Sequence, residues 1–112
     1  MAVDQLSAVF AAIADPTRRA ILTRLTQGDA NVAEIAAPFH ISQPAISRHL
    51  KVLEEAGLIS RSRRATAHLS HLEAEPLREA TAWLATYQQF WEESHQRLDA
   101  LLAKLQHDQP PD

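Results

Sequence analysis

The chain has 112 residues, which suits one compact domain and leaves little room for a second. Eleven Lys and Arg against fourteen Asp and Glu give a formal charge of −3, which excludes a uniformly basic nucleic-acid coat but not a local basic patch. With no cysteine, disulfide staples, thiolate metal sites and cysteine nucleophiles are excluded, and two glycines, Gly28 and Gly57, cannot build a Gly-rich phosphate loop.

The longest uncharged run near the N-terminus, Gln5 to Ala14, is too short to cross a bilayer and lacks the pattern of a signal peptide. A soluble, cytoplasmic chain without membrane contact is the expectation. Leu6, Val9, Phe10 and Ile13 follow i, i+3, i+4, i+7 spacing and predict a first amphipathic helix over roughly 4–14. Asp15-Pro16 then reads as an N-cap followed by proline at the first helical position. The second helix carries Ala20, Ile21, Leu22 and Leu25 and stops at Gly28. Asn31 with Glu34 three residues on resembles a capping box and opens a short third helix, ended by Pro38. Ser42 caps a fourth helix that runs to about Ala56 and closes on Gly57.

Beyond Gly57 the period changes. Leu58 to Arg63 and Ala67 to Leu72 both alternate, which predicts a short antiparallel hairpin with Arg64-Ala65-Thr66 between its strands. From Pro76 to about Leu105 the helical pattern returns, for about 30 residues and roughly 45 Å. Leu77, Leu84, Trp91, Leu98 and Leu105 recur every seven residues, widened by Trp83, Tyr87, Phe90, Leu101 and Leu102. The organisation is therefore one mainly α domain over 1–112. Residues 1–74 form a core and wing, 75–106 a long dimerisation helix, and 107–112 a tail expected to fray.

The fourth helix carries the chemistry. On a wheel of 100° per residue, Ala45, Ile46, Leu50, Val52 and Leu53 fall on one side, with His49 among them. Gln43, Pro44, Ser47, Arg48, Lys51, Glu54 and Glu55 fall on the other. Gln43, Ser47 and Arg48 form a compact polar set suited to base edges in a major groove, with Lys51 placed to neutralise phosphate. Such a face also occurs on ordinary solvated helices. The short helix before it and the basic hairpin after it, with Arg61, Arg63 and Arg64, turn the balance toward a winged helix-turn-helix that binds DNA. His49 stays open between packing and a phosphate contact from the helix edge.

Three runs carry a family resemblance: Ala14-Asp15-Pro16-Thr17-Arg18-Arg19-Ala20-Ile21-Leu22, Val32-Ala33-Glu34-Ile35-Ala36, and the run from Ile41-Ser42-Gln43-Pro44-Ala45 through Ser47-Arg48-His49-Leu50-Lys51 to Ala56-Gly57-Leu58-Ile59. Together the chain resembles the ArsR/SmtB-type transcriptional repressors, over about residues 5–105. The resemblance implies a homodimer that binds a palindromic double-stranded DNA operator. It places Gln43, Ser47, Arg48 and His49 at or near the DNA and offers Thr17 and Arg18 as backbone contacts. It also implies that the first and last helices form the dimer interface, with Leu6 and Phe10 from one and Tyr87, Phe90, Trp91, Leu98, Leu101, Leu102 and Leu105 from the other.

Many relatives sense metals. The thiolate site of arsenic and cadmium sensors would fall around Ala36 and Pro38, which cannot bind a metal, and the last-helix pattern of zinc sensors is absent. Glu92, His95 and Asp99 share a face but read as solvated positions, and His68 and His71, three apart on a strand, face opposite ways. No metal and no cofactor are expected, and any effector is left unidentified. No nucleophile–base pair stands out, so the chain reads as a non-enzyme. The competing function is a winged-helix module that binds protein without specific DNA binding.

Overall fold

Four side chains start four helices. The computed structural model describes residues 4–64 and 67–107. In it, Asp4 accepts from the Ser7 N–H at 2.8 Å and opens α1 (Gln5–Ile13). Asp15 accepts from the Arg18 N–H at 3.1 Å and opens α2 (Pro16–Leu25), with Pro16 in the first turn where its missing N–H costs nothing. These bonds hold both carboxyls below the usual carboxylate range. Asn31 and Glu34 form the full capping box of α3 (Val32–Ala36), at 2.8 Å and 3.1 Å. Ser42 caps α4 (Gln43–Glu55) through the Ala45 N–H.

The core is built from one stripe of each helix. Val9, Ile21, Leu25, Ile35, Ile46, Leu50, Leu53 and Leu58 are almost wholly removed from solvent. Ile46, Leu50 and Leu53 form the ridge of α4, at i, i+4, i+7. Val52, expected on the same side, is 38% exposed, because it stands about 120° round the wheel from Ile46. Ala20, expected on the inner stripe of α2, is also exposed. α2 ends at Leu25, three residues before the expected stop at Gly28, with Thr26 as its C-cap. At Gly57, φ is +80°, a conformation that favours glycine; an added Cβ would meet only the tip of the Gln5 side chain, its Nε2 at 2.8 Å, which can move aside.

The hairpin consists of β1 (Ile59–Arg64) and β2 (Ala67–Leu72), paired antiparallel with Ile59 opposite Leu72 and Arg64 opposite Ala67. Arg64 thus belongs to a strand and not to the turn. Residues 65 and 66 of the expected turn, like 108–112 of the expected frayed tail, lie outside the described residues. A two-stranded ribbon is marginal alone. Here Ala30, just before α3, pairs with the buried Ser70 through two backbone bonds of 2.9 Å and 3.2 Å. That bridge ties the hairpin to the helical core.

The expected continuous last helix is two helices, α5 (Glu75–Ala85) and α6 (Gln88–His107). The break falls at Thr86 and Tyr87. The Thr86 hydroxyl donates to the Trp83 carbonyl at 2.7 Å, and the Thr86 and Tyr87 N–H groups bond three residues back instead of four. A short polar side chain competing for the helix carbonyls explains the interruption. The chain divides into two compact units, Met1–Ala80 and Thr81–Asp112. In the first, Pro76 and Ala80 of α5 are buried and Leu77 packs on the core. In the second, Trp83 and Tyr87 meet edge to face at 5.4 Å, and none of the twenty residues of α6 is buried. Among the described residues no helix is long and apolar enough to cross a membrane.

Leu50→Ala removes a fully buried side chain from the α4 ridge and is expected to cost about 2–5 kcal/mol of unfolding free energy. Glu54→Ala, on the exposed face, is expected to stay within about 0.5 kcal/mol. Urea denaturation followed by circular dichroism checks both.

Candidate nucleic-acid interface

Burying Ile46, Leu50 and Leu53 turns the opposite face of α4 outward. Gln43, Arg48 and Lys51 are exposed on it and Ser47 is half-buried at its edge. The first turn holds two further features: Pro44, which fixes the backbone entry, and the Ser42 cap. Gln43 and Arg48 can each make two hydrogen bonds to a purine edge, and Lys51 lies one turn beyond Ser47. The acidic Glu54 and Glu55 sit at the far end of the helix, away from this set.

The wing extends the cationic surface. Arg61, Arg63 and Arg64 are all exposed along β1. Arg61 also reaches back toward α4, its guanidinium 3.5 Å from the Ser47 carbonyl. The base of the hairpin is held by polar contacts. The Ser60 hydroxyl donates to Glu73 at 2.8 Å, and the His71 Nδ1 lies 2.7 Å from the Asp29 carboxylate, one residue before the Ala30 bridge. The Asp29 hydrogen bond, helped by its charge, raises the His71 pKa above the ordinary histidine value. Nothing in the local sequence joins positions 29 and 71, and the reading of His71 from strand alternation alone misses this partner.

Other basic residues are turned to a different use. Arg18 donates to the Ala12 carbonyl at 2.6 Å and the Ala11 carbonyl at 3.2 Å, and Arg19 donates to the Ile13 carbonyl at 2.8 Å. α1 has no basic residue in its last turn, so the arginines of the next helix close its C-terminal carbonyls. Arg24, in the last turn of α2, donates to the Gly28 carbonyl at 3.3 Å, in the turn just beyond that helix. The Arg18 guanidinium, expected at a DNA backbone, is therefore engaged with α1, and its Nη1 lies 3.4 Å from His49 Nδ1. Thr17 is half-buried in the first turn of α2.

His49 lies on the flank of the ridge, half-buried, between the packing and the edge positions considered for it. Leu6 and Phe10 are half-buried and pack on the core of the first unit. In the second unit Trp83, Leu84, Tyr87, Phe90, Trp91, Leu98, Leu101, Leu102 and Leu105 are all exposed. Among the described residues no three His, Asp or Glu side chains come together in a way that could hold a metal ion.

Residues 15–61 match the model of the bacterial regulatory protein arsR family, a helix-turn-helix family. The chain is 40% identical over 79 residues to the transcriptional repressor SdpR of Bacillus subtilis, covering 70% of this chain and 88% of that one. A crystal structure of an ArsR family transcriptional regulator superposes with a TM-score of 0.72 at 42% identity, covering 80% of this chain and 98% of that one. The homodimeric winged helix-turn-helix DNA-binding domain of a Mycobacterium bovis protein, solved in solution, superposes with a TM-score of 0.63 at 25% identity. That match covers 80% of this chain and 84% of the other.

The His71 contact has a defined pH signature. A raised pKa in the fold means that the pair stabilises the hairpin base at pH below the unfolded value near 6.5, and that this support is lost as pH rises through the higher folded value. Asp29→Asn is expected to bring the His71 midpoint back down toward about 6.5, read from its ring proton shifts in an NMR titration. An unchanged midpoint would rule out Asp29 as the cause.

Proposed function

Because the chain belongs to the arsR family of bacterial regulatory proteins, a family of DNA-binding regulators and not of enzymes, we propose that it is a homodimeric repressor reading a palindromic operator. The observation that carries this reading is the split of α4. One face is sealed into the core by Ile46, Leu50 and Leu53, and the other offers Gln43, Ser47 and Arg48 outward. In this reading α4 enters the major groove, with Gln43 and Arg48 on base edges and Ser47 beside them. Lys51 neutralises a phosphate, and Arg61, Arg63 and Arg64 clasp the backbone or minor groove flanking the site. Thr17, in the first turn of α2, is a further backbone contact.

The second unit supports the dimer. A twenty-residue helix with no buried side chain, carrying Phe90, Trp91, Leu98, Leu101, Leu102 and Leu105, is unusual on a monomer. Pairing with a second copy about a two-fold axis would cover it, with Leu6, Phe10 and Tyr87 adding to the contact. The homodimeric state of the Mycobacterium bovis domain supports the same assembly. Two-fold symmetry then matches an inverted repeat whose half-sites lie about one DNA turn, or a small multiple of it, apart.

Selection from a randomised DNA pool is expected to enrich such an inverted repeat. A pool that stays random would contradict the reading. With three or four phosphates met per protomer, the slope of log affinity against log salt is expected near about −5 to −7. Arg48→Ala is expected to cost about 1–3 kcal/mol against the selected duplex and to relax the preference at one base position in each half-site. A loss equal on every sequence would make Arg48 a phosphate contact instead. In sedimentation the chain is expected at twice its 12.5 kDa mass, and Trp91→Glu combined with Leu98→Glu at the monomer mass with operator binding lost.

A further inference from the structure

Arg18 sits where three helices meet. Its Nε and Nη2 donate to the Ala12 and Ala11 carbonyls of α1, its backbone N–H donates to the Asp15 cap of α2, and its Nη1 faces His49 Nδ1 of α4 at 3.4 Å. A guanidinium has five donors and no acceptor, and it stays charged. The His49 Nδ1 in this contact must therefore be the acceptor, so the neutral ring carries its proton on Nε2. That nitrogen has no hydrogen-bond partner among the described residues. It is not a buried unsatisfied atom either, so it reaches solvent. The result is an N–H donor with a fixed tautomer at the edge of α4, one residue from Arg48.

We propose that Arg18 is a positioning residue that locks His49 in its Nε2–H tautomer, and that this N–H donates to a DNA phosphate beside the half-site. The proposal rests on the DNA-reading role of α4 described above. It separates two roles that the sequence leaves together. Arg18 acts from inside the protein through α1 and His49, and His49 makes the backbone contact. The carbonyl bonds to Ala11 and Ala12 keep the guanidinium plane in place, so the alignment does not depend on DNA being present.

Two measurements test it. In the free protein, two-bond ¹H–¹⁵N correlation spectra of the histidine rings are expected to show His49 with an unprotonated Nδ1 and a protonated Nε2. Arg18→Ala is expected to relax this to a mixture of tautomers. The opposite tautomer in the wild type overturns the Arg18 half. For binding, affinity is measured by fluorescence anisotropy on the duplex enriched from the randomised pool. His49→Phe, which fills the ring's space but has no donor, is expected to weaken binding roughly tenfold. His49→Gln, which can bring an N–H near the Nε2 position, is expected to retain most of it. Arg18→Ala is expected to weaken binding in the wild-type background and to add nothing in His49→Phe.

Full affinity in His49→Phe, which leaves the Arg18–carbonyl bonds intact, overturns the donor role, and additive losses overturn the coupling. Should the wild type fail to prefer the enriched duplex over random DNA, the DNA reading itself falls and the donor role with it. The tautomer measurement would still decide what Arg18 does to His49.

Discussion

Three side chains that stay out of reach of DNA set the position of the helix proposed to read it. Ile46, Leu50 and Leu53 are fully buried against Val9, Ile21, Ile35 and their neighbours, so α4 cannot roll without opening the core. Rotation about the helix axis decides which residues face outward, and at 100° per residue a slip of one position would bury Ser47 in place of Ile46. The apolar ridge is thus the register mark for the polar face. Pro44, the Ser42 cap and Gly57 then fix where that face begins and ends.

The same economy governs the charges. The chain is acidic in sum, yet its cations divide by task within the first unit. Arg18 and Arg19 are bonded to carbonyls at the end of α1, where a cation complements the helix dipole, and Arg24 to the Gly28 carbonyl in the turn after α2. Arg48, Lys51, Arg61, Arg63 and Arg64 lie exposed on α4 and β1. A polyanion responds to the local field, and the acidic residues that lower the net charge sit mostly elsewhere, eleven of the fourteen in 4–34 and 75–112. An overall charge of −3 is therefore compatible with a cationic binding face.

Most of the helical layout was legible because the signals are local. Asp15-Pro16, the Asn31/Glu34 box and Ser42 each act within three residues, and all three form as the spacing predicts. The α4 wheel likewise needs only its own residues. What the sequence hid joins distant positions: the Ala30–Ser70 bridge, the Asp29–His71 pair 42 apart and the Arg18–His49 contact 31 apart. Arginine in a first turn reads as surface charge until the end of the neighbouring helix is placed beside it. The break after α5 was missed for another reason. The seven-residue repeat runs straight through it, and only the hydroxyl of Thr86 marks the interruption. Burial at the flanks of a stripe, as at Val52, depends on what covers it and not on the wheel alone.

The division of α4 into a buried and a reading face is tested most directly by titrating ¹⁵N-labelled protein with the enriched duplex and following backbone amide shifts. The account predicts the largest changes at Gln43, Ser47 and Arg48 and along β1, with the amides of the ridge moving least. Changes concentrated on α3 or α6 while the outward face of α4 stays still would contradict it.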